Sequence, residues 1–115
     1  LGHALKNIKV INSLSVAYLS LSNKELSQFN YKKGDTEGLV NYCLSIEGVK
    51  TAVFLREDND IIKISFRSKG AIKVNQFSKK FYGGGGHQNA AGAATSGDLT
   101  LVTETLIDNL HKFLN

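Results

Sequence analysis

The clearest pattern in the chain is the alternation of apolar and polar residues in the segment Ile61–Lys69. Every second residue from Ile62 to Phe66 is apolar, and the positions between them are polar. Because successive side chains of a strand point to opposite faces, this pattern predicts a strand with one core face and one polar row. Such a row is also simply the solvent-exposed face of many sheets. The segment Lys50–Arg56 is predicted to pair with this strand across a turn at residues 57–60.

Three more strands are predicted from shorter apolar segments. Near the start of the chain, residues 8–11 and Val16–Leu21 flank a tight turn at Asn12–Ser13. The fifth predicted strand, Ala90–Thr95, consists mainly of small residues, which allow two backbones to approach each other closely.

Capping residues predict where the first two helices begin. Ser22 and Glu25 have the spacing of a capping box, so a short helix should follow Ser22. Asp35 or Thr36 is the expected cap of a second helix. The apolar face of that second helix is formed by Leu39, Val40, Cys43 and Leu44.

Two further helices are predicted in the second half of the chain. Asn75 is the expected N-cap of a helix from about Asn75 to Tyr82, and Gly83 is the expected left-handed residue that ends it. Asp98 is expected to cap a closing amphipathic helix. The element order is then ββααββαβα. It predicts an α+β or α/β domain in which helices pack on a mixed sheet of about five strands.

Length and composition restrict the class of protein. The chain has 115 residues, of which 42% are hydrophobic and 21% charged, as in an ordinary single globular domain. No apolar segment approaches the roughly 18 residues that a membrane helix needs. Because the chain has a single cysteine, Cys43, it cannot form an internal disulfide, which fits a cytoplasmic location. Cys43 itself is expected to be a core residue. The chain begins at Leu1 and contains no methionine, so we expect residues 1–115 to be a piece of a longer protein.

The positive charge is concentrated in one part of the chain. The net charge is +4, yet the segment from Ile61 to Gly97 contains six of the 14 basic residues and none of the ten acidic ones. A concentration of one sign attracts anions over a Debye length of about 8–10 Å. The charge alone is equally consistent with lysines that only solubilise an exposed face.

The run Gly83–Gly86 followed by His87 is the most unusual feature of the sequence. Glycine is costly to order, and it lets backbone N–H groups converge on an anion without interference from a Cβ. We therefore predict a phosphate site that lacks carboxylates, in which the glycines are flanked by His87 and by Arg67. The alternative is a flexible loop. The spacing matches neither a P-loop nor a dinucleotide-binding fold.

These residues resemble the DHH-associated C-terminal domain of the DHH phosphoesterases, in its nanoRNase/pAp-phosphatase form. The resemblance spans most of the chain from Asp35 to Gly92, and its most specific part is the glycine-histidine element. It is carried by Asp35-Thr36-Glu37-Gly38-Leu39-Val40-Asn41, Gly48-Val49, Leu55-Arg56-Glu57, Ser65-Phe66-Arg67-Ser68-Lys69-Gly70, Val74-Asn75, Lys79-Lys80-Phe81 and Gly83-Gly84-Gly85-Gly86-His87-Gln88-Asn89-Ala90-Ala91-Gly92.

The resemblance implies a substrate-binding function. In this family a separate N-terminal domain holds two Mn²⁺ ions through a DHH triplet and other ligands, and the C-terminal domain closes over the nucleotide. Carried over to this chain, Arg67 and Ser68 would bind phosphate or sugar oxygens. Gly84, Gly85 and Gly86 would line the approach of the substrate backbone, and His87 would contact its phosphate.

The chain departs from the family pattern in two respects. Gln88 follows the histidine where a basic residue is common. The chain contains no Asp-His-His, and its three histidines are His3, His87 and His111. A catalytic two-metal centre is therefore not expected in this chain, which should need the N-terminal domain as a partner in cis.

Three functional alternatives remain at this point. The leading one is a domain that binds short oligoribonucleotides or 3′,5′-bisphosphorylated adenosine. The second keeps the family but changes the substrate to a cyclic dinucleotide, single-stranded DNA or the end of a tRNA. The third is a structural or dimerising module, in which the glycine loop packs against a partner such as a second copy of the chain.

Overall fold

In the residues described by the computed structural model, 2–115, six strands form one mixed sheet. Side chains are described from Ala4 onward. In chain order the strands are β1 (Lys9–Ile11), β2 (Val16–Leu21), β3 (Thr51–Asp58), β4 (Ile61–Ser68), β5 (Gly85–His87) and β6 (Ala90–Ser96). Their order across the sheet is β1-β2-β3-β4-β6-β5. Strands β2 and β3 are parallel, and all other neighbours are antiparallel.

Five α-helices accompany this sheet within the described residues. They are α1 (Gly2–Leu5), α2 (Asn23–Gln28), α3 (Asp35–Ser45), α4 (Val74–Tyr82) and α5 (Leu99–Leu114). Helices α2 and α3 form the crossover between the parallel strands β2 and β3. None of the described helices combines the length and the apolar character needed to cross a bilayer.

The two faces of the sheet carry separate cores. On one face, α4 and α5 cover a cluster that includes Phe66, Phe77 and Leu106, none of which is accessible to solvent. On the other face, α3 covers alternate residues of β2 and β3, including Leu19 and Phe54. This second core ends at β3, because the residues of β4 that share its face are polar.

The predicted fold class is confirmed, but the structure adds elements that the patterns did not predict. The sheet has a sixth strand, β5, formed by Gly85–His87, which overlaps the glycine run and to which the sequence analysis assigned no strand. Its residues have low strand propensity, so the strand forms through backbone pairing with β6 alone. Helix α1 was not predicted. The turn at Asn12–Ser13 is a short 3-10 turn, Asn12–Leu14, ended by Ser15 in the left-handed region at φ 57°.

Several predicted helix ends are confirmed. The N–H of Glu25 donates to the Ser22 hydroxyl at 3.1 Å, and the N–H of Ser22 donates to the Glu25 carboxylate at 2.9 Å, which completes the capping box. The N–H of Leu101 donates to the Asp98 carboxylate at 3.1 Å. Gly83 ends α4 in the left-handed conformation, at φ 68°.

Two predicted caps were wrong because the helices begin earlier. Helix α3 begins at Asp35 itself, and Gly34 precedes it without a side-chain cap. The Asp35 carboxylate instead accepts from the N–H of Lys32 at 2.9 Å, so it stabilises the turn that leads into α3. Asn75 lies inside α4, which begins one residue before it.

The single cysteine is a core residue, as predicted. Cys43 on α3 is completely buried, and this burial raises the pKa of its thiol to about 11. The thiol is therefore protonated near neutral pH and is a poor nucleophile.

Candidate functional site

The strand register places Arg67 and His87 on the same face of the sheet. Arg67 of β4 lies opposite Ala90 of β6, and Ala90 lies opposite His87 of β5. Because directly paired residues of antiparallel strands point to the same side, the side chains of Arg67 and His87 leave the same face of the sheet, with Ala90 on the strand between them. This is the arrangement on which the predicted phosphate site depends.

Small residues surround that row. On the same face, Ser65 of β4 lies opposite Gly92 of β6, which in turn lies opposite Gly85 of β5. In the described part of the chain no helix lies over this half of the sheet on that side: α4 and α5 pack on the opposite face, and α3 reaches only the border at Arg67. We call it the open face and define it by Lys63, Ser65, Arg67, Gly85, His87, Ala90, Gly92 and Ala94.

Helix α3 stands beside the open face and supplies a carboxylate to it. A guanidinium N–H of Arg67 donates to Glu37 of α3, and another donates to the carbonyl of Phe66 at 2.8 Å. The expectation of a site without carboxylates was therefore wrong. Acidic residues are absent from Ile61–Gly97, but the crossover brings Glu37 back from 30 positions earlier in the chain.

A second cation of the open face also has a carboxylate partner. Lys63 Nζ lies 3.1 Å from Asp58 Oδ2, and this contact lowers the pKa of Asp58, chiefly through the hydrogen bond from Lys63. Both side chains are about two-fifths exposed, at 43% and 41%, so solvent screens the pair and it contributes little to stability. Lys63 remains able to turn toward an anion.

The structure places Ser68 away from the open face. Its side chain is 5% exposed, and its hydroxyl donates to the carbonyl of Ile72 at 2.6 Å. The same hydroxyl accepts from Asn89 Nδ2 at 2.9 Å. Ser68 thus joins the end of β4 to the turn between β5 and β6. Arg67 directly precedes Ser68 in β4, and His87 is the last residue of β5 before that turn.

Asn89 has several contacts in this junction. Its side-chain amide also lies within hydrogen-bond distance of the carbonyls of Gly70 and Ile72, at 3.2 Å each. Its own carbonyl accepts from the N–H of Ser68 at 3.0 Å. The contacts of Asn89 hold the β5–β6 turn, and with it His87, against the end of β4.

Replacing Asn89 with alanine should therefore lower the free energy of unfolding by about 1–3 kcal/mol, because three acceptors, two of them partly buried, lose their donor. The backbone amide signals of His87 and Arg67 should shift as well. Urea unfolding and amide spectra measure the two effects. Gln76→Ala is the matched control, since it removes an exposed amide from α4 and should change stability by less than about 0.5 kcal/mol. Equal effects of the two substitutions would contradict the role given to Asn89.

The predicted glycines differ in their surroundings. A Cβ on Gly84 would lie 2.3 Å from the carbonyl oxygen of Gly92, so a side chain does not fit there. The N–H of Gly84 donates to the carbonyl of Ser78 at 3.1 Å and is not free for a ligand. Gly86 has φ 143° and also lies against β6, whereas Gly85 has open space around it. A side chain is thus excluded at both Gly84 and Gly86, while Gly85 has room for one; Gly85 and Gly86 are exposed to solvent.

Strand β5 forms an edge of the sheet in the described part of the chain. It is hydrogen-bonded to β6 on one side only, so its outward peptide groups have no neighbouring strand. His87 is exposed at the end of this edge. Edge N–H groups and an imidazole can both donate hydrogen bonds to an anion.

The structure holds three cavities away from the predicted site residues. Their volumes are about 360, 320 and 260 Å³, and they lie beside α5, beside α3 and near the start of α5, respectively. Arg67, His87 and the residues of the glycine run line none of these three. The candidate site lies on the sheet surface beside α3, where Gly85, Gly86 and His87 are exposed.

Sequence reasoning missed Glu37 and Asn89 as parts of this site. Asn89 had been read only as part of the segment Gly83–Gly92, which carries the family resemblance. Glu37 had been read only as part of the segment that carries the family resemblance. The contact between Glu37 and Arg67 depends on the crossover between β2 and β3, and no local spacing in the sequence reveals it.

The fold agrees with comparisons to known proteins. The family model described as DHHA1 domain matches residues 12–115. The chain therefore belongs to the DHHA1 domain family.

Relatives with known names are similar over much of the chain. The bifunctional oligoribonuclease and PAP phosphatase NrnA of Thermus thermophilus is 37% identical over 81 residues, covering 70% of this chain and 24% of that protein. The protein of the same name from Bacillus subtilis is 31% identical over 93 residues, or 81% of this chain and 29% of that protein. The crystal structure of an exopolyphosphatase-related protein from Bacteroides fragilis superimposes with a TM-score of 0.91 at 41% identity, over 97% of this chain and 33% of that one.

The chain thus spans about a quarter to a third of the length of these relatives. Among the described residues, no group of three or more His, Cys, Asp and Glu side chains is placed to hold a metal ion. The described residues therefore do not fit a two-metal hydrolytic centre, and no chemical step can be assigned to them through a metal.

Proposed function

We propose that this domain binds the phosphate and sugar of a short oligoribonucleotide, or of 3′,5′-bisphosphorylated adenosine, on its open face. The observation that carries the proposal is the row Arg67–Ala90–His87, in which two hydrogen-bond donors flank a methyl group on an uncovered sheet surface. The small residues of β5 and β6 leave room for a ligand to approach the backbone.

Arg67 is suited to phosphate binding because it is held in place before a ligand arrives. Its side chain is only 17% exposed, and the carbonyl of Phe66 and the carboxylate of Glu37 use two of its five N–H groups. The remaining donors can form the paired hydrogen bonds that arginine makes to phosphate. A preorganised donor loses little conformational entropy on binding.

His87 and the exposed glycines would hold a second part of the ligand. The imidazole donates or accepts according to its protonation state, and it lies at the exposed edge of the sheet. Gly85 and Gly86 would let a nucleotide backbone pass close to the main chain of β5. In this arrangement Ser68 does not contact the ligand. Its hydrogen bonds to Ile72 and Asn89 hold the end of β4, where Arg67 lies.

The names of the relatives support the class of substrate. Oligoribonuclease and PAP phosphatase activities both act on phosphate groups attached to ribose, which are what the open face would bind. We propose that an N-terminal DHH domain in cis, with Mn²⁺, supplies the hydrolytic chemistry in a cytoplasmic protein. The contribution of the present domain is then to position the scissile phosphate, a proximity effect.

Titrating a 5′-phosphorylated ribodinucleotide into the 115-residue chain tests this function. The amide signals of Gly85 to His87 and of Arg67 should shift with the ligand. Arg67→Ala should weaken binding by about 10- to 100-fold, because it removes charge-assisted hydrogen bonds. Lys112→Ala, which removes an exposed positive charge from α5, is the control and should change affinity by less than about twofold.

An unchanged affinity in a folded Arg67→Ala variant would refute the proposal. A steep fall in affinity with added salt is also expected, because phosphate contacts release counterions. If the dinucleotide shifts signals on α5 or β1 while those of β5 stay constant, the site lies elsewhere and the open face is not the binding surface.

A further inference from the structure

Glu37 is a group that an anion site would not be expected to contain. Its carboxylate is 63% exposed, stands at the border of the open face and contacts Arg67. Its other oxygen lies 3.4 Å from Asn41 Nδ2, one turn further along α3, which is a long hydrogen bond. Glu37 therefore keeps acceptor capacity that the protein does not use.

A carboxylate beside a phosphate is unfavourable unless something compensates for it. Arg67 lies between the two charges in the proposed complex and interacts favourably with both. An ionised carboxylate has no proton to donate, so Glu37 recognises an uncharged group of the ligand only if that group is a hydrogen-bond donor. Near the phosphate of a nucleotide, the donors available are the hydroxyl groups of the sugar.

The geometry of the guanidinium brings such a hydroxyl within reach. The group is planar, with its donors arranged around one carbon, so ligands bound to two of its edges are neighbours. With Glu37 on one edge, a phosphate on another edge lies next to the carboxylate. The 2′-hydroxyl and the 3′-phosphate of a ribonucleotide are attached to adjacent carbon atoms, which matches this arrangement.

We propose that Glu37 determines the sugar specificity of the site by accepting a hydrogen bond from the 2′-hydroxyl beside the phosphate that Arg67 binds. The inference rests on the proposed function, since it needs a nucleotide on the open face. It adds a distinction that phosphate binding alone does not make: the site selects ribonucleotides over deoxyribonucleotides, because the 2′-hydroxyl is the group in which they differ.

The test compares two 5′-phosphorylated dinucleotides of the same bases, one ribo and one 2′-deoxyribo, by calorimetric titration of the 115-residue chain. The unsubstituted chain should bind the ribo form at least about tenfold more tightly, as expected for one hydrogen bond to a charged group. In Glu37→Gln this ratio should fall to within about threefold. Binding of the deoxyribo form should stay the same or become tighter, because a repulsive charge is removed.

Glu47→Gln is the matched control, since it removes the same charge from an exposed position just after α3. It should leave the ribo-to-deoxyribo ratio unchanged. The inference is overturned if the unsubstituted chain does not distinguish the two dinucleotides, or if Glu37→Gln keeps the original ratio. It is also overturned if Glu37→Gln weakens the binding of both dinucleotides equally, because Glu37 would then only position Arg67. Equally tighter binding of both overturns it too, because Glu37 would then only compete with the ligand for Arg67.

These outcomes differ from failure of the proposed function. In that case neither dinucleotide binds the unsubstituted chain, or Arg67→Ala leaves both affinities unchanged. Because Glu37 is exposed, Glu37→Gln should fold normally, and an unchanged amide spectrum outside the open face verifies this.

Discussion

Replacing Phe77 with alanine should lower the free energy of unfolding by about 3–5 kcal/mol, the range for a buried phenylalanine that leaves a cavity. Phe77 is completely buried on the inner side of α4. Its ring centre lies 5.4 Å from that of Phe66 on β4 and 5.2 Å from that of Phe113 on α5. One side chain therefore holds two helices against the strand that carries Arg67.

Urea unfolding followed by circular dichroism measures this effect. Leu101→Ala is the control: Leu101 is 63% exposed on α5, and its truncation should change stability by less than about 0.5 kcal/mol. A loss below about 1 kcal/mol in Phe77→Ala would mean that the core around α4 is not packed as described. Binding of the dinucleotide at low temperature should survive in molecules that remain folded, because Phe77 lies on the opposite face.

Replacing Gly84 with alanine is expected to have the second-largest effect, about 1–3 kcal/mol or more. A Cβ there would lie 2.3 Å from the carbonyl oxygen of Gly92 and 2.8 Å from the Cβ of Ala93. A flexible side chain could move away, but the backbone of a paired strand cannot. Strand β5 would have to separate from β6, which would also displace His87.

Gly85→Ala provides a neighbouring control. No atom lies within 4 Å of a Cβ built on Gly85, so this substitution should change stability by less than about 0.5 kcal/mol. Thermal unfolding of the two variants gives the comparison, and the amide signals of β6 report whether β5 has moved. Similar midpoints for the two variants would show that Gly84 does not pack against β6 as described.

Local patterns were sufficient for most of the fold. The alternation in β4 correctly separates the core residues Ile62, Ile64 and Phe66 from the polar row. The capping box at Ser22 and the left-handed Gly83 depend on residues a few positions apart, so the sequence shows them directly. The predicted cap at Asp35 was wrong because its carboxylate accepts from the N–H of Lys32, in the turn before α3, and not from an N–H in the first turn of the helix. The spacing of the residues does not determine which of these two donors the carboxylate takes.

The candidate site was predicted only in part, because its geometry comes from strand pairing. Arg67 and His87 share a face through the register of β4, β6 and β5, and the sequence does not show that Gly85–His87 is a strand. The partner of Arg67 lies 30 residues away on α3. Ser68 was placed in the substrate site by resemblance, while its burial depends on the turn that leads into α4.

The parallel pairing of β2 with β3 places α3 beside β4, so Glu37 and Arg67, 30 positions apart in the chain, meet only in the native fold. A molecule that contacts both groups recognises a surface that the unfolded chain does not have. Such a molecule stabilises the native state by linkage, and the midpoint of thermal unfolding should rise with its concentration.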